Sequence, residues 1–304
     1  MTTDCVFNVS VNAFSVGEVR YRGLFMPHGG PEASAPERRP VLLLGGTSIS
    51  MSDQKELIVC LFTAGFDMAA IETPMGGLWH AGGVPKKVRC DALVDFIKHL
   101  CASEKIKGID IVAHSYAAFE VVRTLMAASV TYRPLIKSVV LINPPGFSAR
   151  LTFVSHLLRI VWGHILCGYL KMLWCRYGWG HCTGMVTGAE RKAFARRELR
   201  GIVAMTFKGM QNPVRTIREI RDIVSFKPAG PISQLQEIHG YDFNLFLNAG
   251  DRMVQVQDTL FCGLRLLRPE NIRVVPGGHN DIVYQQWQRQ ALIAFLNEIR
   301  ARTS

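Results

Sequence analysis

The chain has 304 residues, of which 48% are hydrophobic and 19% charged, and it carries a net charge of +11. That length accommodates one large α/β domain, or a core with an inserted piece, and excludes a small fold that depends on staples; the apolar content excludes intrinsic disorder. The positive charge suits acidic company such as a carrier protein, a phosphorylated substrate or an anionic lipid surface, while nucleic acid is not indicated, because zinc-finger spacing, basic heptads and aromatic RNA-binding motifs are all missing.

The eight cysteines (Cys5, Cys60, Cys90, Cys101, Cys167, Cys175, Cys182 and Cys262) are scattered without a C-x-x-C pair. They read as reduced, mostly buried thiols in a reducing compartment, with neither a metal site nor a cofactor implied. The start, Met1-Thr2-Thr3-Asp4-Cys5, lacks the basic residues and continuous apolar core of a signal peptide, so a cytoplasmic location is expected.

In chain order, Val6 to Val11 and Glu18 to Phe25 alternate apolar with polar and predict a hairpin turned at Ser15-Val16-Gly17. A Pro/Gly/Ala-rich loop from Pro27 to Pro40 leads into Val41-Leu42-Leu43-Leu44, the apolar signature of a strand buried on both faces. After the Gly45-Gly46-Thr47-Ser48 turn, Ser52-Asp53 predicts the cap of a helix that stops at Gly65. Strand 66–71, helix 86–102, strand 109–112, helix 116–128 and strand 137–143 follow. This alternation predicts a doubly wound, mostly parallel sheet with helices on both faces. Ligands of such sheets sit beyond the carboxyl ends of the strands, where Thr47, Ser115 and Asn143 fall.

At Pro144-Pro145-Gly146 the rhythm stops, and 147–230 reads as a helical, aromatic and basic lid inserted after the sixth core strand, between core segments 1–146 and 231–304. Its most apolar stretch, Leu151 to Trp174, contains His156, Arg159, His164 and Lys171, whereas a membrane span needs about 20 predominantly apolar residues. The stretch therefore reads as a lid that packs on the sheet domain, lines an apolar tunnel or rests on a membrane surface. Arg191, Lys192, Arg196, Arg197 and Arg200 follow, either as a solvated face or as a docking surface for an acidic partner. Strands 244–249 and 272–275, with a helix 256–266 between them and a closing helix 281–300, complete the chain.

The chemistry centres on Ala113-His114-Ser115-Tyr116-Ala117, where an apolar β-branched run breaks and resumes as a helix. A serine at the tip of a tight strand-to-helix bend exposes its hydroxyl, and small residues two places to either side let strand and helix approach. Serine catalysis also needs a base, an acid to orient it and donors for the oxyanion. His279 stands in the turn Pro276-Gly277-Gly278-His279, Asp251 follows Gly250 after the preceding strand, and the backbone N–H groups of Thr47 and Tyr116 are the oxyanion donors. Taken singly, Asp251 could close a turn, Ser115 could cap a helix and Asp281 is a rival carboxylate. Occurrence together, in one order and at strand ends, favours catalysis. His114 reads as structural support, and Ser48, Trp79, His80 and Trp162 as pocket wall.

The order Ser, Asp, His, the elbow and the helical insertion resemble the α/β-hydrolase superfamily over nearly the whole chain, with Gly45-Gly46 where the family often has His-Gly and alanines where its elbow has glycines. The resemblance implies Ser115 as nucleophile, Asp251 as acid, His279 as base, and Thr47 and Tyr116 at the oxyanion hole. The expected activity is hydrolysis of a carboxylic ester or thioester with an apolar acyl group through an acyl-enzyme. The acyl donor would be a small molecule, an acyl carrier protein or a coenzyme A thioester, and the lid a site of peripheral membrane contact. Acyl transfer by the same triad and a non-catalytic ligand-binding or scaffold role are the alternatives.

Overall fold

The computed structural model describes residues 10–16, 19–28, 38–46, 49, 51–72, 86–103, 106–132, 135–147, 154–155, 213–251 and 253–303. Eight strands form one sheet in the order β1-β2-β4-β3-β5-β6-β7-β8. β1 (Ser10–Val16) and β2 (Val19–Met26) make the antiparallel hairpin, and β2 pairs antiparallel with β4 (Met68–Glu72). The other pairs, among β3 (Val41–Leu44), β4, β5 (Ile109–His114), β6 (Ile136–Ile142), β7 (Phe243–Asn248) and β8 (Ile272–Val275), are parallel. The chain leaves β3 for β4 on one side and places β5 on the other, so the switch point lies between β3 and β5.

The central strands are enclosed on both faces, since β3, β5 and β7 are buried at every residue, the polar Asp110, His114, Asn244 and Asn248 included. Successive side chains point to opposite faces, which splits the core. On one face Leu42, Leu44, Ile111 and Leu141 meet helices α2 (Lys86–Ser103), α3 (Ala117–Tyr132), α5 (Ala229–His239) and α6 (Val256–Leu266). On the other, Leu43, Val112, Val140 and Phe246 meet α1 (Lys55–Thr63), α7 (Asp281–Tyr284) and α8 (Gln286–Thr303). Each fully buried Phe or Leu in these layers contributes about 1.5–3 kcal/mol.

Three expectations are corrected. The hairpin turns later than Ser15-Val16-Gly17, because Val16 pairs with Val19 and both Ser15 and Val16 belong to β1. Ser52-Asp53 does not cap α1: the Ser52 and Met51 carbonyls accept turn bonds from Lys55 and Gln54, and the cap position passes to the buried Gln54, whose side chain makes no capping bond to the helix. The closing helix is two helices, broken at Gln285, where ψ is 121°. Ile282 and Val283 of α7 bury against the α1 layer, and the Arg289 guanidinium of α8 donates to the Val283 carbonyl at 3.0 Å, covering the end of the short helix.

The described cysteines Cys60, Cys90, Cys101 and Cys262 form no disulfide and are half-buried rather than buried. Among the described residues no helix is long and apolar enough to cross a membrane, and nearly all of Leu151 to Trp174, with Arg191 to Arg200, lies outside the described residues. Of the segment between β6 and β7, helices α4 (Pro213–Ser225) and α5 are described. α5 was not among the predicted elements, because its start, Pro228-Ala229-Gly230-Pro231, carries loop residues.

Candidate active site

β5 stays fully buried to Ala113, and the turn into α3 falls at Ser115, whose φ of 55° lies in the left-handed region that non-glycine residues seldom adopt. The surroundings enforce it. The Ser115 N–H donates to the Ile142 carbonyl at 2.8 Å, while Ala113 and Ala117 pack into the α3-side core with almost no exposure. The alanines therefore meet the size requirement of the bend. At the end of β3, Gly46 crosses so close that a Cβ there would stand 2.8 Å from Ser115 Cβ and 3.1 Å from the His114 carbonyl oxygen. Gly46→Ala must displace backbone at the elbow. It is expected to lower turnover of a p-nitrophenyl ester by about tenfold or more, a misplacement effect; unchanged turnover would show that the elbow yields without cost.

The His279 loop is fixed from α8 and β7. Gln288, fully buried on α8, donates to the Pro276 carbonyl at 2.7 Å, and Asn248 Nδ2 donates to the Gly278 carbonyl at 2.6 Å. The Gly250 N–H donates to the Gly277 carbonyl at 2.9 Å. Gly277 has φ 121°, and any Cβ there would lie 2.0 Å from Gln288 Nε2, so both the backbone and the space require glycine. The rival Asp281 is spent within the turn, accepting the Gly278 N–H on Oδ2 at 2.8 Å.

The loop brings His279 into a hydrogen-bonded row. Its Nε2 lies 2.8 Å from Ser115 Oγ and its Nδ1 lies 2.5 Å from Asp251 Oδ2. Asp251 divides its oxygens: Oδ1 accepts the N–H groups of Met253 and Val254 at 2.8 and 3.0 Å, closing the turn after β7, and Oδ2 faces the imidazole. The turn role and the role beside His279 are thus compatible. Both residues are largely buried, with His279 7% and Asp251 9% exposed.

Two buried side chains from neighbouring strand ends hold His279 by its backbone. Its carbonyl accepts from His114 Nε2 at 2.9 Å and from Asn143 Nδ2 at 3.0 Å. Asn143, with φ 45°, also accepts the Asn248 N–H on Oδ1 at 2.8 Å, and so spans β6, β7 and the His279 loop. Burial, together with the neighbouring His279, lowers the His114 pKa to about 3. His114 is therefore a neutral ring with its proton on Nε2. Between about 6.5, its unfolded value, and about 3, the unfolded chain binds a proton that the folded chain excludes, so the stability this group supplies is whole above that window and is lost as pH falls through it. His114→Gln, which keeps a donor, is expected to flatten the fall in urea midpoint between about pH 7 and 4.5; parallel pH dependences in the two proteins would contradict this.

Of the residues singled out from sequence, Ser115, Asp251 and His279 are brought together, and Tyr116 follows Ser115 as a buried side chain whose hydroxyl donates to Asp222 Oδ2 at 2.8 Å. Thr47, Ser48, Trp79, His80 and Trp162 lie outside the described residues. Sequence reasoning missed Gln288 and Asp222 and gave Asn143, at its strand end, no role of its own. Among the described residues no cluster of His, Cys, Asp and Glu could hold a metal ion.

No protein-family model matches the sequence, and no curated protein matches it significantly. Solved structures do match. The bromoperoxidase of Bacillus anthracis superposes with a TM-score of 0.62 at 15% identity, over 95% of this chain and 100% of that one. A carboxylesterase of the thaumarchaeon Nitrososphaera gargenis gives 0.59 at 14%, over 96% and 100%. The thioesterase domain from the curacin biosynthetic pathway gives 0.54 at 12%, over 95% and 99%. The protein therefore has the α/β-hydrolase fold. Its neighbours differ in chemistry, so function has to be argued from the site.

Proposed function

We propose that this protein is a serine hydrolase of carboxylic esters or thioesters, acting through an acyl-enzyme on Ser115. The observation that carries the reading is the row Ser115 Oγ, His279, Asp251 at 2.8 and 2.5 Å. As Ser115 Oγ bonds to the substrate carbonyl carbon, its proton passes to His279 Nε2 and the C=O π pair moves to the oxygen. Asp251 stabilises the imidazolium. The oxyanion is received by the backbone N–H groups of Tyr116 and Thr47. Collapse breaks the bond to the alkoxide or thiolate, which takes the proton from Nε2. Water then repeats the sequence, releasing the acid and restoring the Ser115 hydroxyl.

An apolar acyl group is favoured by the aromatic segment 147–230, read as a lid, since each buried methylene contributes about 0.8 kcal/mol. Ser48, Trp79, His80 and Trp162 are assigned to its pocket wall. The run Arg191, Lys192, Arg196, Arg197 and Arg200 suits an acyl group carried on an acidic carrier protein or coenzyme A. The carboxylesterase and thioesterase among the structural neighbours accord with this class. A fluorophosphonate probe tests the assignment: labelling of the wild type at Ser115, lost in Ser115→Ala, is expected, and an unlabelled wild type would refute it.

A further inference from the structure

The chain leaving β6 and the chain leaving α4 meet at one aromatic cluster. Gly146, just past β6, has φ 84° and passes so near that a Cβ there would lie 2.8 Å from the Phe226 carbonyl oxygen and 2.9 Å from Phe119 Cζ. Phe226, just past α4, sets its ring edge-on to Phe119 at 5.1 Å, and the Arg123 guanidinium lies over Phe226 at 4.4 Å. Phe119 in turn meets Tyr116 edge-on at 5.5 Å, and Ile223 of α4 closes the cluster.

Fixing Phe226 fixes the last turn of α4, because its N–H donates to the Asp222 carbonyl at 2.9 Å. That places the Asp222 side chain above the elbow. Tyr116 Oη donates to Asp222 Oδ2 at 2.8 Å, between residues 2% and 9% exposed, and Arg123 Nη1 stands 3.8 Å from the same oxygen. A phenol bonded to a carboxylate out of water is a strong, short-range restraint. Tyr116 is also the residue after Ser115. Its side chain is thus anchored at the far end while its peptide group opens α3.

We propose that Asp222 is a positioning residue for the oxyanion hole. By gripping the Tyr116 hydroxyl it fixes the peptide N–H that follows Ser115, so that α4, within the β6–β7 segment, is coupled to the reacting carbonyl. This rests on the reading of Ser115 as the nucleophile. An oxyanion donor stabilises only within a few tenths of an ångström of its productive place, which is why a contact to the side chain of the donor residue alters rate.

The test is the second-order rate of Ser115 labelling by a fluorophosphonate, whose phosphoryl oxygen occupies the oxyanion position, so that no substrate need be known. Tyr116→Phe and Asp222→Ala are each expected to slow labelling about tenfold, and the double variant to be no slower than either alone. Asp222→Asn, which keeps an acceptor for the phenol, should label near the wild-type rate. A general loss of structure would not be rescued in that way, and melting temperatures identify it. Wild-type labelling in Tyr116→Phe, or losses that multiply in the double variant, overturns the proposal. If Asp222→Ala does not fold, Tyr116→Phe decides, since it removes one atom. A wild type that does not label at Ser115 overturns the hydrolase reading and the proposal with it, whereas labelling that vanishes in Ser115→Ala but is undiminished in Tyr116→Phe overturns the proposal alone.

Discussion

Replacing Ser115 by alanine is expected to lower ester turnover by about 10³-fold or more, since the covalent route disappears and only binding and oxyanion stabilisation remain. The variant should fold like the wild type. Alanine keeps the Cβ that already fits beside Gly46, the Ser115 N–H bond to the Ile142 carbonyl is a backbone bond, and the φ of 55° is held by the same neighbours. Stability is therefore expected to change by less than about 1 kcal/mol. Initial rates with a p-nitrophenyl ester, beside far-UV circular dichroism, check both parts. A folded variant with a tenth of wild-type turnover would mean that the hydroxyl is not the nucleophile.

Asp251→Asn should cost about 10³- to 10⁴-fold in turnover, for a reason visible in the turn. Two backbone donors, from Met253 and Val254, converge on Asp251 Oδ1. An asparagine must offer its oxygen to them, which turns its amide N–H group toward His279 Nδ1. That nitrogen can then only accept, so the ring proton moves to Nε2 and points at Ser115 Oγ. The base is intact, correctly placed and in the wrong tautomer. The expected signature is a large fall in turnover with little change in melting temperature; a loss of less than about tenfold would show that Asp251 does not set the tautomer.

The sheet is legible from sequence wherever the strand is buried on both faces: no polar residue interrupts Val41–Leu44, and in Ile109–Val112 the one that does, Asp110, is buried against Arg39, Ser138 and Arg300. The turns after β5, β7 and β8 are legible for a chemical reason: glycine or small residues beside Ser115, Asp251 and His279 restrict what the chain can do there. Local signals fail where a long-range contact decides. Ser52 and Gln54 are both polar, and only the packing of α1 determines which one precedes the helix. The break at Gln285 has no glycine or proline to mark it, since the burial of Ile282 and Val283 against α1 produces it. The bond from Tyr116 to Asp222 joins residues 106 apart in sequence, and the two bonds to the His279 carbonyl span 165 and 136. No periodicity encodes such separations.

The position of β8 sets an order of failure. Among the described residues it lies at the edge of the sheet and pairs only with β7, with Val274 42% exposed, whereas β5 is enclosed between β3 and β6. Edges open at lower free energy than centres. His279 hangs from the edge strand and Ser115 from the central one, so on heating or in mild denaturant hydrolysis should cease while the middle of the sheet is still folded. On recooling it should return without a full refolding step. Residual activity, followed against amide exchange in β5, would thus report the fraying of one edge and not the melting of the molecule.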